Sequence, residues 1–391
     1  MGRLRVLMTI PNLHGGGAER IALQMHQAFD RSTIDPVLLI QERFGSYVSA
    51  AEGDPSIMFI NEGHYRRRQL PRSLFATWLA ARQADVLIGG NEGRPSAAAL
   101  IAAKLTGRPV VMWLHNDWER FSKHVSWRQR LALRLYHRAD AIIACSDGVA
   151  NAFSKLLPAS AHLVRTIYHG MPVSRIREAA EEPLPLEHAA IFANPVVLNV
   201  GRLDYQKGQD TLIDAHASLR QRGSNHHLVI LGVGPLQGQL QEQVNRLGVA
   251  DSVHFLGFQA NPFKYMKAAR VFALSSRFEG APLVLAEAFA CGLPIVAADC
   301  RAGPMEMLDG GRYGHLVPVD DAQALADALE PVLANDAEAL RLADLSLRRS
   351  EAFSQSRMIR EWQDLLAAVV AAHRGSGVKK NSTDRPPSAA P

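Results

Sequence analysis

Ten short runs of β-branched and aliphatic residues, separated by stretches of helical periodicity, leave this chain few folds to adopt. Five come early, at Val6–Ile10, Val37–Ile40, Val86–Ile88, Val110–Leu114 and Ala141–Ala144, and five late, at Val196–Val200, His227–Leu231, Val253–Leu256, Val271–Leu274 and Ile295–Ala298. A strand that is apolar along its whole length is buried on both faces, and roughly 15 residues of helical pattern before the next strand form a crossover. The chain is therefore expected to be α/β, with parallel βαβ units built twice. Between the two sets, Glu181-Glu-Pro-Leu-Pro185 and Pro195 break both periodicities, so a linker is expected over 181–195. That leaves an N-terminal domain over 1–180 and a C-terminal domain over 196–355, each long enough to bury its own core. An amphipathic stripe of Met358, Trp362, Leu365, Leu366 and Val369 predicts a closing helix over 356–374, and the Gly-, Ser-, Lys- and Pro-rich remainder, 375–391, reads as disordered.

Composition narrows the partners. With 47% hydrophobic and 21% charged residues the chain is neither disordered nor collagenous. Cys145, Cys291 and Cys300 are too scattered for a disulfide framework or a zinc knuckle, which points to a reducing compartment. No run reaches the roughly 18 apolar residues of a bilayer span, and the apolar run after Arg3 is shorter than a secretory signal and leads into a glycine turn, as a first buried strand does. The net charge of +5 is uneven: residues 1–180 carry 23 Lys and Arg against 14 Asp and Glu, and the remainder is net acidic. The basic residues gather at Arg66-Arg67-Arg68 with Arg72, and at Arg120, Lys123, Arg128, Arg130, Arg134 and Arg138 beside an apolar stripe of Trp127, Leu131 and Leu135. The second group is either a solvated helix packed on its own domain or a basic amphipathic helix resting on anionic lipid. Nucleic acid is not expected, because no recognition motif or interleaved aromatic platform accompanies these cations.

Three clusters carry chemistry. After the first strand, Asn12-Leu-His-Gly-Gly-Gly-Ala-Glu-Arg20 is a glycine-rich turn leading into a helix, where free backbone N–H groups favour a phosphate. Its spacing is not that of a dinucleotide fingerprint, and only Gln41-Glu42 stands near the expected ribose acid. After the first strand of the second set, Gly201-Arg-Leu-Asp-Tyr-Gln-Lys-Gly208 presents Arg202 and Lys207, a guanidinium fork and a point charge suited to a diphosphate. Further on, Glu279 falls in a turn and Glu287 on the apolar helix that follows, with Gly280 and Pro282 at its opening. A buried glutamate is costly unless hydrogen-bonded, for example to ribose hydroxyls; capping or salt bridging is the structural alternative.

Taken in order, Gly15-Gly-Gly-Ala-Glu-Arg20, Gly201-Arg-Leu-x-x-x-Lys207-Gly, Leu231-Gly-Val-Gly-Pro-Leu236, Phe255-Leu-Gly-Phe258, Glu279-x₇-Glu287 and Ala290-Cys-Gly-Leu-Pro294 strongly resemble the retaining GT-B glycosyltransferases of family 4, from about residue 3 to residue 370. The run Asp299–Glu306 resembles the bacterial surface-glycan branch. The resemblance implies two Rossmann-like parallel-sheet domains facing a deep cleft. It implies a nucleotide-diphosphate-sugar donor, with a UDP-sugar favoured, and a glycan or polyprenyl-linked acceptor. Carried over, Arg202 and Lys207 neutralise the diphosphate, with Gly280, Leu283 and Val284 at the helix opening also on the donor side. Glu287 binds the ribose and Glu279 the transferred sugar, Gly16 and Gly17 close over the diphosphate, and Phe258 lies near the base. Trp113-Leu-His-Asn116 resembles the family's sugar-side histidine, which makes His115 a candidate for orienting the reacting groups.

No cofactor or metal is expected, the charge on the departing diphosphate being met by fixed cations. The resemblance also implies retention of configuration and a place at the inner face of the cytoplasmic membrane, with peripheral contact to anionic lipid. Ala281 and Tyr168-His-Gly-Met-Pro172 depart from the family pattern and leave sugar and acceptor specificity open. The competing readings are an epimerase or phosphorylase on the same fold and a non-catalytic nucleotide-sugar-binding partner. A nicotinamide dehydrogenase survives only if the glycine turn is read alone.

Overall fold

The computed structural model describes residues 2–14, 17–64, 67–115, 134–300 and 303–382. The chain divides into two compact units, one of Met1–Cys145, Val149–Ile167 and the chain from Met358 onward, the other of Ser146–Gly148 and Tyr168–Arg357.

The first unit holds a parallel sheet of β1 (Leu4–Ile10), β2 (Ile34–Arg43), β3 (Ile57–Glu62), β4 (Val86–Gly89), β5 (Val110–Leu114), β6 (Ala141–Ala144) and β7 (Val164–Thr166), in the order β3-β2-β1-β4-β5-β6-β7. Its central strands β4, β5 and β6 are buried along their whole length, as strands covered by helices on both faces must be. The second unit holds β8 (Val196–Val200), β9 (His227–Leu231), β10 (Val253–Gly257), β11 (Val271–Leu274), β12 (Ile295–Ala298) and β13 (His315–Val317), in the order β10-β9-β8-β11-β12-β13. Its core joins Val197, Ile230, Val271 and Val296 of the sheet to Leu212 and Leu219 of one helix and Leu325 and Leu329 of another. Each sheet reverses its order once, between β1 and β4 and between β8 and β11. At such a switch point the loops leaving the carboxyl ends of the two strands diverge and open a crevice.

Two boundaries differ from the sequence reading. The division falls after Ile167 rather than after 180, because 168–195 is bonded to the second unit: Asn261 Nδ2 donates to the Ala179 carbonyl (2.8 Å), Arg177 Nε to that of Ala290 (3.2 Å), and His188 Nδ1 lies 2.9 Å from the Tyr265 hydroxyl. The expected linker 181–195 contains a short helix, Leu186–Ala189, and a 3₁₀ turn, Ile191–Ala193; its prolines end the preceding helix without freeing the chain. The closing helix runs Gln355–Ser382, eight residues past the expected end at 374. Trp362 meets Trp113 edge-on at 4.9 Å between ring centroids, and Arg374 bonds Asp85 (2.9 Å), so the helix is anchored in the first unit as far as 374. Beyond that, each further residue adds one hydrogen bond to a helix already nucleated, which apolar content does not control. The rest of the expected disordered tail, 383–391, lies outside the described residues. Among the described residues no helix is long and apolar enough to cross a membrane.

Candidate active site

In the second unit the site is built on the switch point. The chain leaving β8 makes the Gly201–Gly208 loop, and the chain leaving β11 makes Ser275–Pro282 before entering the helix Leu283–Ala290. Asp204 caps the single turn Tyr205–Lys207, its Oδ1 accepting the Lys207 N–H at 3.3 Å. Gly208 follows at φ +61°, where a Cβ would stand 2.2 Å from the Ser275 carbonyl oxygen. Only glycine allows this approach, and the Ser275 hydroxyl completes it by donating to the Lys207 carbonyl at 2.9 Å. The two loops are thereby locked edge to edge.

Arg277 adds a second lock. Its guanidinium bonds Asp210 and Asp320, each at 2.7 Å, and lies over the Tyr205 ring at 4.4 Å. These carboxylates, with burial opposing them, hold it firmly charged. Gln206 ties in by donating Nε2 to the Phe278 carbonyl (3.0 Å) and accepting the Arg277 N–H (2.8 Å).

The lock brings Lys207 Nζ to 2.7 Å from Glu279 Oε1, and the same oxygen accepts the Ser276 hydroxyl at 2.7 Å. Glu279 is only 7% exposed, so its carboxylate is satisfied by one cationic and one neutral donor, the condition for burying it. The Lys207 methylenes lie over Gly201 at the van der Waals distance a Cβ there would have. Glu287 is buried inside the helix Leu283–Ala290, four residues before Cys291, whose thiol burial pushes up to about 12. Cys300 is likewise pushed up to about 12, by burial and then by the charge of Glu279. Both thiols stay protonated and are not nucleophiles.

The other expected residues are distributed as follows. Arg202 does not join the Lys207–Glu279 pair: its side chain is 66% exposed and bonds Asp204 beside it, so of the expected two cations it is Lys207 that pairs with Glu279. Gly280 follows Glu279, and Leu283 and Val284 open a helix that no side chain caps, which leaves its first amides turned to the loop. Phe258 is 74% exposed just past β10. It is brought toward the β9 end by the Gly232 N–H, which donates to the Gly257 carbonyl at 2.8 Å. Tyr168 donates to Glu306 at 3.0 Å, and burial next to that carboxylate keeps its phenol protonated.

In the first unit Gly17 begins the helix Gly17–Ala28 after β1; Gly16 lies outside the described residues. His115 ends β5. Its Nε2 lies 2.9 Å from the Gly90 carbonyl, its backbone N–H donates to Glu92 at 2.6 Å, and its ring packs on Trp113. Burial lowers its pKa to about 4. At neutral pH it is therefore the neutral tautomer that donates from Nε2 and offers only Nδ1 as an acceptor.

Ser276, Asp204, Gln206 and Arg277, with Asp210 and Asp320, were not singled out from the sequence. The only local signal was the serine three residues before Glu279. The pairing of Arg277 with residues 67 and 43 positions away has no trace in a linear pattern.

Two family models match, "Glycosyltransferase Family 4" over residues 15–175 and "Glycosyl transferases group 1" over residues 188–346, so that between them they cover most of both units. The chain belongs to glycosyltransferase family 4. An amylovoran biosynthesis glycosyltransferase of Erwinia amylovora is 24% identical to the transferase over 362 residues, 90% of this chain and 96% of that one. A 4-alpha-N-acetylgalactosaminyltransferase of Campylobacter jejuni, acting on N-acetylgalactosamine-N,N'-diacetylbacillosaminyl-diphospho-undecaprenol, is 30% identical over 65% of this chain and 66% of its own length. Among solved structures, Anabaena Alr3699/HepE in complex with UDP superposes with a TM-score of 0.79 at 24% identity, covering 93% of the transferase and all of that chain. WaaG, of lipopolysaccharide biosynthesis, superposes with 0.68 at 17% identity over 92% and 99%. These likenesses identify the fold of the transferase as GT-B, with two Rossmann-like parallel-sheet units.

Proposed function

We propose that the transferase moves a hexose or N-acetylhexosamine from a nucleoside-diphosphate sugar, a UDP-sugar by preference, to a glycan or polyprenyl-linked saccharide in bacterial polysaccharide, lipopolysaccharide or glycoconjugate synthesis. The reaction retains configuration and needs no divalent cation. The observation that carries this reading is the Lys207–Glu279 pair at the β8/β11 switch point, 2.7 Å apart. A departing nucleoside diphosphate gathers negative charge on its β-phosphate, and a fixed ammonium stabilises that charge more in the transition state than in the ground state. Lys207 has three N–H donors, of which one holds Glu279, so the others can face phosphate oxygens while Glu279 receives hydroxyls of the transferred sugar. Arg202, 66% exposed, reaches the diphosphate by exchanging Asp204 for it. Glu287 binds the ribose, and the amides of Gly280, Leu283 and Val284 complete the donor site. Gly16, Gly17 and His115 are assigned to the donor's sugar-phosphate side, and Phe258 to the base.

Support for a UDP-sugar comes from HepE, solved with UDP and with UDP-glucose, and for a lipid-linked acceptor from the Campylobacter enzyme. Retention follows the family. Glu279, bonded to a lysine and a serine, serves as a binding group rather than as one of a pair of hydrolytic carboxylates. In this reading the acceptor is met at the inner face of the cytoplasmic membrane by peripheral, salt-sensitive contact.

The test is a donor screen by thermal shift, followed by transfer to an acceptor with and without EDTA. Lys207→Ala should lower kcat/KM by about two to three orders of magnitude with the fold intact. Near-normal transfer by that variant, or transfer abolished by EDTA and restored by a divalent cation, would overturn the assignment.

A further inference from the structure

In the first unit the chain leaving β1, β2, β3 and β4 at their carboxyl ends brings five side chains together: His14, Glu42, Phe44, His64 and Arg94. Their frame is rigid. The Glu42 N–H donates to the Pro11 carbonyl (2.9 Å), the Leu13 N–H to that of Phe44 (2.9 Å) and the Tyr47 N–H to that of Leu13 (3.2 Å). Gly45 sits at φ +123°, where a Cβ would fall 1.9 Å from the Leu13 carbonyl oxygen, so the loop after β1 lies directly on the end of β2. On this frame the His14 ring stacks on Phe44 at 5.1 Å between centroids and 16° between planes, and the His64 ring packs on Phe44 at 4.0 Å. Phe44 is half-buried, whereas both histidines are exposed. Beside the rings Glu42 is 5% exposed, and its Oε1 accepts Arg94 Nη2 at 3.1 Å from the start of the helix Arg94–Thr106. Its Oε2 has His64 Nδ1 at 4.0 Å, beyond hydrogen-bond reach, and accepts no hydrogen bond among the described residues. A carboxylate oxygen taken from water without a donor is costly, and a ligand that brings a donor offsets that cost.

The fixed charges around Glu42 are balanced among the described residues: Arg94 offsets Glu42 itself, and Arg43 is met by Glu52 at 2.5 Å and Glu62 at 3.5 Å. Arg66 and the basic segment 120–130 lie outside the described residues. We propose that the cluster is a saccharide-binding subsite that takes one uncharged pyranose ring. Such a ring presents a face of C–H groups that packs on an aromatic ring, and a rim of hydroxyls that both donate and accept. The cluster offers a partner for each: the open faces of His14 and His64, Glu42 Oε2 as acceptor, and imidazole and guanidinium N–H groups as donors. A phosphate or diphosphate is the poorer occupant, because Glu42 repels it and Arg94 is already bonded to that carboxylate. His14 directly precedes the Gly15–Gly17 turn, assigned to the donor's sugar-phosphate side. That the bound ring belongs to the acceptor rests on the proposed function; the binding of a sugar here does not.

The experiment is saturation-transfer NMR on the full chain with the methyl glycosides of glucose, galactose, N-acetylglucosamine and N-acetylgalactosamine, each with and without inorganic diphosphate as competitor. At least one glycoside is expected to bind, undisplaced by diphosphate and equally well in Lys207→Ala. Glu42→Gln and His64→Ala should each weaken that binding by about tenfold or more, with circular dichroism and the UDP-induced thermal shift unchanged. His64→Ala removes an exposed ring and carries the test if Glu42→Gln disturbs folding. In transfer assays the same variant should raise the acceptor KM and leave the donor KM as it was. The proposal is overturned if no glycoside binds, if the folded variants bind as well as the parent, or if diphosphate displaces the sugar. It is equally overturned if Lys207→Ala abolishes binding, which would put the sugar at the donor site. Glycoside binding as expected without any UDP-induced shift in the parent would leave the subsite standing and remove the donor assignment. A UDP-induced shift without glycoside binding would remove the subsite alone.

Discussion

A buried carboxylate oxygen that serves two donors is sensitive to the loss of either. Glu279 Oε1 receives Lys207 and Ser276 at 2.7 Å each. Ser276→Ala leaves the lysine bond but removes the neutral donor that orients the carboxylate, a hydrogen bond to a charged group worth about 1.5–3 kcal/mol. Steady-state transfer assays should show kcat/KM lower by about ten- to a hundredfold, with the melting temperature lowered by a few degrees; unaltered kinetics would mean that Lys207 alone positions Glu279. Lys207 and Glu279 were legible in the sequence because each sits in a motif with its own spacing. Arg277 was not, because its partners Asp210 and Asp320 lie on distant segments; Ser276 stands three residues before Glu279, but its spacing alone does not say that its hydroxyl turns back to that carboxylate. Arg202 was legible as a cation but not as one bonded to Asp204, since whether a neighbouring acid or a ligand takes a guanidinium depends on the shape of the loop.

Among the elements, all ten strands read from the sequence are present, and the three that were missed, β3, β7 and β13, each form the edge of a sheet. An edge strand has one neighbour and one open side, so it need not be apolar throughout: Ile57–Glu62 mixes buried, half-buried and exposed positions, and Val164–Thr166 has no fully buried residue. Periodicity passed over three of the four edges; the fourth, β10, was legible because its run Val253–Leu256 is largely apolar. The glycine motif Leu231-Gly-Val-Gly-Pro-Leu236 also finds its reason at this scale. Gly232 sits at φ +141°, where a Cβ would fall 1.9 Å from the Gly201 carbonyl oxygen, so the β9 end must be bare for the β8 loop to lie on it. Gly232→Ala should therefore displace the loop that carries Lys207. A loss of about 1–3 kcal/mol in urea unfolding is expected, with donor-induced thermal shift reduced; wild-type values for both would refute the close approach.

In the whole molecule, buried histidines set the response to acid. His115 in the first unit is lowered to about 4. In the second unit His216 and His226, 2.9 Å apart and both buried, are held neutral first by desolvation; His216 is then lowered by His226 and Arg220, and His226 by Arg220, with His227 close by. All three are neutral when folded, whereas in the unfolded chain they take up protons near pH 6.5, so acid favours unfolding. Stability should be full above about pH 6.5 and fall as the pH drops from there toward 4, by up to about 1.4 kcal/mol per pH unit for each histidine. Thermal midpoints measured between pH 8 and 5 check this, and a flat profile would contradict it. The sequence by itself determined the parallel sheets, their crossover helices and the loops bearing the chemistry, because local periodicity and glycine placement act over a few residues. Which residues those loops press together, where the chain divides, how far the last helix runs and which apolar side chains stay uncovered were decided only by the tertiary structure. Each of these depends on contacts between segments tens to hundreds of residues apart, whose energies no local pattern records.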